Sequence, residues 1–373
     1  MDENGETVET PIPYDDERWD ELLDQLTWDE TVILLSDGLR NTKSVTSVSK
    51  PETLDHNGAM GPVEKLIYNP NVASNRYYFL SAEDPTVDVY PTQNPCDALV
   101  ASTFNEKLIE EFGKSIGEAC LWGGYSGLYG PGANIHRGAY CGRAFEYYSE
   151  DSFLTGKICA AEVRGIQSKG CYVYVKHALL NEIETNREGI GTWANEQTIR
   201  EIYLRPFEIA IEEGGAYNVM TSFNRLGVVW SGAQGFVDSV LRGEFGMRGF
   251  AISDYWQTAY MSLANGILGG NDLPDGSAMS GTAASSSPLY AYKEGYGELA
   301  WAMRESAHRI LYTVVHSNAM NGITSGTKIK TITPWWQEVL QYLRLELGIL
   351  FGVSAAASAA LYFVVHKGRA DGE

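Results

Sequence analysis

The chain has 373 residues, 44% of them hydrophobic, which is enough for a large core and argues against general disorder. Its formal net charge of -20 excludes nucleic acid as a partner, because that role needs a basic face. Cys96, Cys120, Cys141, Cys159 and Cys171 form no CxxC pair, and the six histidines form no HExxH pattern, so buried free thiols are expected and neither metal nor cofactor is.

Residues 1–16 are acidic and polar, the reverse of a signal peptide, and read as a flexible lead. Asp15 to Leu35 carries a helical pattern, and Thr27 with Glu30 three residues on predicts a capping box. Ser36 to Pro95 is rich in Asn, Pro, Ser and Asp and reads as loop. Asn105 to Cys120 repeats Leu108, Ile109, Phe112 and Ile116 at helical spacing. Ser126 to Asn134 reads as a strand entering a loop, and Ser152 to Lys169 as a helix. A strand at Tyr172–Val175 then runs into Lys176 and His177. A helix over 195–213 follows, and the strand Ala216–Met220 leads into Thr221-Ser-Phe-Asn224. After a helix over 235–244, the run Gly249-Phe-Ala-Ile-Ser ends in Asp254, with Tyr255 and Trp256 directly after it. Ala264 to Asp272 reads as a further short strand and Tyr290 to Asn318 as a closing helix or pair.

Strand and helix alternating in this way predict parallel βαβ units. Polar groups at the exits of three strands, with no GxGxxG or P-loop, favour a closed TIM-like (β/α)8 barrel over residues 17–318 rather than an open doubly wound sheet. Residues 319–334 read as a linker and 335–346 as a juxtamembrane segment containing Trp335 and Trp336. Residues 347–366 read as a transmembrane helix. The uncharged run Leu347–Val365 has 19 residues and reaches about 28 Å, close to the hydrocarbon thickness of a bilayer. His366, Lys367 and Arg369 follow it, which by the positive-inside tendency puts the tail in the cytoplasm and the barrel outside. The expectation is a membrane-anchored chain with an extracellular barrel.

Cleaving an acetal needs a carboxylate to meet the developing oxocarbenium ion and a second carboxyl to protonate the leaving oxygen. Asp254 is the candidate for the first. Lys176, His177, Arg143 and Arg187 can hold sugar hydroxyls and keep Asp254 ionised. The flat rings of Tyr255 and Trp256 suit the apolar face of a sugar.

Several of these stretches together resemble glycoside hydrolase family 3. They are Gly130-Pro-Gly-Ala-Asn-Ile-His-Arg137 through Gly142-Arg-Ala-Phe-Glu-Tyr-Tyr-Ser-Glu-Asp151, Lys176-His177 with Asn181-Glu-Ile-Glu-Thr-Asn-Arg187, Arg200–Glu208, Met220-Thr-Ser-Phe-Asn224 and Gly249–Asp254. The resemblance covers roughly residues 25–320. It implies a TIM-like barrel that removes terminal β-linked sugars, β-glucosidase-like, with retention of configuration. It implies Asp254 as nucleophile, and Asp55, Arg143, Lys176, His177, Arg187, Met220, Phe223, Tyr255 and Trp256 as substrate-binding residues. A β-glucoside or oligosaccharide is the implied substrate. Phe223 stands where the family usually has Tyr, and Tyr255 where Trp is common. In most of the family the acid Glu sits on a second, α/β sandwich domain, which would make that domain a partner of this barrel. Glu182 and Glu184 are the only carboxylates near the Lys-His motif. A chain of this kind reads as the barrel half of a domain-permuted relative. The alternatives are a non-catalytic, membrane-tethered sugar-binding barrel or an incomplete gene product.

Overall fold

The computed structural model describes residues 12–63, 66–67, 88–89, 92–257, 259–323, 327–328 and 335–370. It divides into two compact units, one running to Ile329 and one holding the C-terminal helix.

The first unit is built on six parallel strands: β1 (Asp55–Asn57), β2 (Gly127–Tyr129), β3 (Tyr172–Ala178), β4 (Asn218–Thr221), β5 (Ala251–Tyr255) and β6 (Leu273–Asp275). They lie side by side in chain order, as successive βαβ units place them. Registers such as Val175 with Val219 and Ala251 with Val219 fix the neighbours. The residues before β1 span the gap between the two edge strands. Gly38 N–H donates to the Gly276 carbonyl (2.9 Å), Ala278 N–H to Ser36 (2.8 Å), and Asp55 N–H to Arg40 (2.9 Å). The expected (β/α)8 barrel is therefore realised, among the described residues, as six parallel strands curled round and joined by this segment.

Alternation along β3 shows why these residues form a wall. Val173 and Val175 turn outward against the helices, while Tyr172 and Tyr174 turn inward, and all four are buried. The outer layer includes the helices Glu106–Gly123 and Ser152–Gln167, capped by Asn105 and Asp151 through the N–H groups of Leu108 (3.1 Å) and Leu154 (2.6 Å). Their backbones touch, because a Cβ on Gly113 or Gly165 would collide with the carbonyl of Glu162 or Glu110. The capping box at Thr27 is present: Glu30 N–H donates to Thr27 Oγ1 (3.2 Å), and Thr27 N–H donates to Glu30 Oε2 (3.1 Å).

Several expectations change. The region from Ser36 to Pro95, read as loop, contains β1, too short for its alternation to stand out. The strand expected over 264–272 is the helix Leu263–Leu268, with Ser262 as its N-cap; the strand follows as β6. The helix expected over 195–213 contains a π-helical stretch at Ile199–Leu204. Of the expected flexible lead, residues 1–11 lie outside the described residues. Within 12–16 the chain is packed, with Tyr14 stacked on His308 at 4.1 Å.

Part of the expected linker, 324–326 and 329–334, lies outside the described residues. The second unit is a helix from Trp335 to Ala370, 36 residues. Within it Tyr342–Tyr362 is long and apolar enough to cross a membrane, by length and composition, with a mean hydropathy of 1.6.

Candidate active site

Strand parity delivers the central carboxylate. Phe250 and Ile252 face inward in the same core, and Asp254 follows at the same spacing at the C-terminal end of β5. There the strand ends enclose a cavity of about 290 Å³. Asp254 lines it, 14% exposed. Its Oδ1 accepts the Tyr255 N–H at 2.8 Å. Its Oδ2 takes no hydrogen bond among the described residues, with His177 Nε2 at 3.5 Å and Arg143 Nη1 at 3.8 Å. Burial lifts Asp254 above the ordinary carboxylate value, against the pull of Arg143, the Tyr255 N–H, Lys176 and Arg187.

Five cationic or potentially cationic side chains share the cavity with it: Arg40, Arg143, Lys176, His177 and Arg187. The loop after β2 brings Arg143 in by zipping along β3, with Lys176 N–H donating to the Pro131 carbonyl (3.0 Å) and Ala133 N–H to Lys176 (2.6 Å). Asn134 pins the end of β3, its Oδ1 accepting His177 N–H at 2.7 Å and its Nδ2 donating to the His177 carbonyl at 3.1 Å. Burial first, then Arg143, Lys176 and Arg187, press His177 well below the usual imidazole value, so it is neutral at pH 7. Tyr147 Oη lies 3.2 Å from His177 Nδ1. If the hydroxyl donates there, the ring proton sits on Nε2 and points at Asp254. Burial also lowers Lys176, with Glu146 opposing.

Two glutamates hold the cations in place. Glu146 Oε2 accepts from Arg143 Nη2 (2.7 Å), with Lys176 Nζ 3.4 Å away. Burial works against ionising Glu146, but Lys176 and Arg143 prevail and keep it below the ordinary value. Glu184, one of the two candidate acids, binds Arg187 Nη1 (2.7 Å) and Asn181 Nδ2 (3.0 Å) and lies 3.7 Å from Arg143 Nη1. Glu182, the other, is buried on Asn134 Nδ2 (3.0 Å), and its burial raises it to about 7. Neither lines the cavity.

The remaining expected site residues divide. Met220 lines the cavity, and so does Tyr255, 57% exposed. Phe223 is buried behind it and supports Arg187, whose guanidinium lies 4.0 Å from the ring centroid. Trp256 is 9% exposed and packs edge-on against Trp230, so it serves the core rather than the cavity rim. Asp55 does not line the cavity. It is fully buried, with Tyr172 and Tyr174 hydroxyls each donating to one of its oxygens at 2.6 Å. Its burial, opposed by those two bonds and by Lys50, raises it to about 6. Asn57, at the exit of the same strand, takes the cavity position instead. Leu39, Arg40, Tyr129 and Asp275 also line the cavity and were not singled out from the sequence. Reading β1 as a strand would have moved attention from Asp55 to its exit residue. Nothing local marks Leu39 or Arg40, which reach the cavity through long-range pairing. Among the described residues no group of three His, Cys, Asp or Glu is placed to hold a metal.

Residues 86–267 match the family described as Glycosyl hydrolase family 3 N terminal domain. Over those residues the chain is similar to a family 3 N-terminal domain. Beta-glucosidase A of Butyrivibrio fibrisolvens is 40% identical over 193 residues, covering 52% of this chain and 23% of that protein. The beta-glucosidase of Ruminococcus albus is 42% identical over 163 residues, 43% of this chain and 17% of that protein. The solved beta-glucosidase 3B from Thermotoga neapolitana, in complex with alpha-D-glucose, superposes with a TM-score of 0.69 at 31% identity over 82% of this chain and 44% of that one. The chain spans about a quarter of the length of the curated relatives it matches. The likeness runs beyond the matched family 3 segment and takes in most of the first unit.

Proposed function

We propose that this family 3 domain hydrolyses terminal, non-reducing β-linked glucosyl residues with retention, Asp254 attacking the anomeric carbon to form a covalent glycosyl-enzyme. The observation that carries the reading is the buried Oδ2 of Asp254, which takes no hydrogen bond among the described residues and faces a cavity shared with Arg143, Lys176, His177 and Arg187. A displacement of this kind breaks the glycosidic C–O bond as the Asp254–carbon bond forms; water then attacks the same carbon, breaking the ester bond to Asp254 and releasing the sugar with its original configuration. The cations keep Asp254 ionised against its burial and hold the hydroxyls of the sugar, while Met220 and Tyr255 give it apolar contact. The proton for the leaving oxygen comes, in this reading, from a Glu on a second, α/β sandwich domain. Glu182 and Glu184 are unsuited to protonating it, since the first is sealed away from the cavity and the second is held by arginines. That same observation favours a second reading, a barrel that binds sugar without turning it over. The helix Trp335–Ala370 is proposed to anchor the domain at the outer membrane face.

An aryl 2-deoxy-2-fluoroglucoside with an acidic phenol separates the two readings, because such a leaving group needs little protonation. The glycosidase reading expects a burst of one phenol per chain and a mass adduct mapped to Asp254, both missing in Asp254→Ala. Sugar binding without any adduct rejects it.

A further inference from the structure

Asp275 is the one other carboxylate that lines the cavity among the described residues. It ends β6, in register with Tyr255, so it stands on the strand next to Asp254. Its backbone is fixed by Ser253 Oγ, which accepts the Asp275 N–H at 3.0 Å. Its side chain is oriented through one oxygen only: Oδ1 accepts the Tyr129 hydroxyl at 3.0 Å and the Arg40 N–H at 3.4 Å. Tyr129 is in turn packed edge-on against Tyr174, centroids 5.1 Å apart. Oδ2 of Asp275 accepts no hydrogen bond from the described residues. Arg143, Lys176, His177 and Arg187 arrive from β3 and from the loops after β2 and β3, whereas Asp275 stands on the other flank of Asp254, together with Arg40. A nearly buried carboxyl that is oriented on one oxygen and open on the other toward a polar cavity is incomplete without a donor from the ligand.

Resting on the glycosidase reading, we propose that Asp275 determines specificity, its open oxygen accepting a hydrogen bond from one hydroxyl of the terminal sugar while Asp254 faces the anomeric carbon. Burial, countered by the Tyr129 hydroxyl and reinforced by the nearby Asp254, raises Asp275 to about 7. The group can therefore accept from a hydroxyl or donate to one near neutrality. A site built to bond a hydroxyl rejects the sugar that lacks it, because the buried acceptor is then left unpaired.

The test uses the full chain in detergent micelles, titrated calorimetrically with glucose and with its 2-, 3-, 4- and 6-deoxy analogues, alongside phenol release from the aryl glucoside. Wild type should lose about 10- to 100-fold in affinity for one deoxy sugar, the range for a hydrogen bond to a charged group. Asp275→Ala should lose the same factor for glucose and nothing further for that deoxy sugar. Asp275→Asn, which keeps the shape, should give a smaller loss confined to the same hydroxyl, and it carries the comparison should the alanine variant not fold. Wild-type penalties persisting in both variants, or an equal loss for all five sugars, would overturn the assignment. A wild type with Asp254-dependent release but unchanged selectivity in the variants sinks only Asp275. A wild type that neither binds glucose nor releases phenol sinks the glycosidase reading with it.

Discussion

Asp254 and Asp55 are both inward carboxylates of the same curled sheet, the first 14% exposed and the second fully buried, and burial lifts both above their ordinary value. They differ in what their oxygens touch. Asp55 has each oxygen filled by a tyrosine hydroxyl, one on either side. Asp254 has one oxygen on a backbone N–H and the other facing the neutral His177 ring at 3.5 Å and the Arg143 guanidinium at 3.8 Å. Burial and a perturbed titration therefore do not by themselves separate the two; what separates them is that Asp254 lines the cavity and keeps one oxygen without a hydrogen bond among the described residues. The saturated carboxyl is a strut of the fold, and the unsaturated one is available for chemistry.

Removing both groups breaks or sharpens that contrast. Asp254→Ala should cut phenol release from the aryl glucoside by at least about a thousandfold, as loss of a nucleophile does, with little change in melting temperature. Asp55→Ala should do the reverse. It strands two buried hydroxyls and should cost about 2–5 kcal/mol in urea unfolding, with kcat/KM per folded molecule nearly kept. Equal activity losses in the two variants would erase the distinction.

Glu182 offers a smaller effect of the saturated kind. Its folded value of about 7 lies above the value of 4.5 for a free glutamate, so between them the folded chain holds a proton that the unfolded chain has released. The stability it contributes is complete below about pH 4.5 and is lost as pH rises through 7. Glu182→Gln should flatten the stability–pH curve over that window, by up to about 3 kcal/mol. Smallest of all, Arg143→Met should move the acid limb of kcat/KM for the aryl glucoside to higher pH by about one unit. Arg143 is the main group holding Asp254 down, and in the proposed mechanism only ionised Asp254 attacks. A limb that stays put or moves to lower pH contradicts that assignment of charge.

Legibility in the sequence followed locality. Strands β3, β4 and β5 were readable because each is an apolar run that ends in polar groups, and the Thr27 capping box because its two partners are three residues apart. Lys176, His177, Arg143 and Arg187 could be named because strand exits and motif spacing pointed to them, and they do meet Asp254 in one cavity. Trp256 packs on Trp230 and does not line the cavity, a difference hidden in the sequence because an aromatic next to a site residue looks the same in either setting. Asp55, named from the family resemblance, stands two residues before the Asn57 that lines the cavity, and β1 has three residues, too few for periodicity to say which one exits the barrel. Asp275, Tyr129 and Arg40 escaped notice because their grouping depends on β6, β2 and the residue 36–42 segment meeting across more than two hundred residues of chain.

That segment carries a practical lesson for anyone cutting the gene. The family match starts at residue 86, yet Leu39, Arg40 and Asn57 all precede it. The Gly38–Gly276 and Arg40–Asp55 backbone bonds turn an open trough into a cup. A fragment begun at the matched boundary would lose one side of the cup along with its edge-strand seam, and any measurement on it would describe a different vessel.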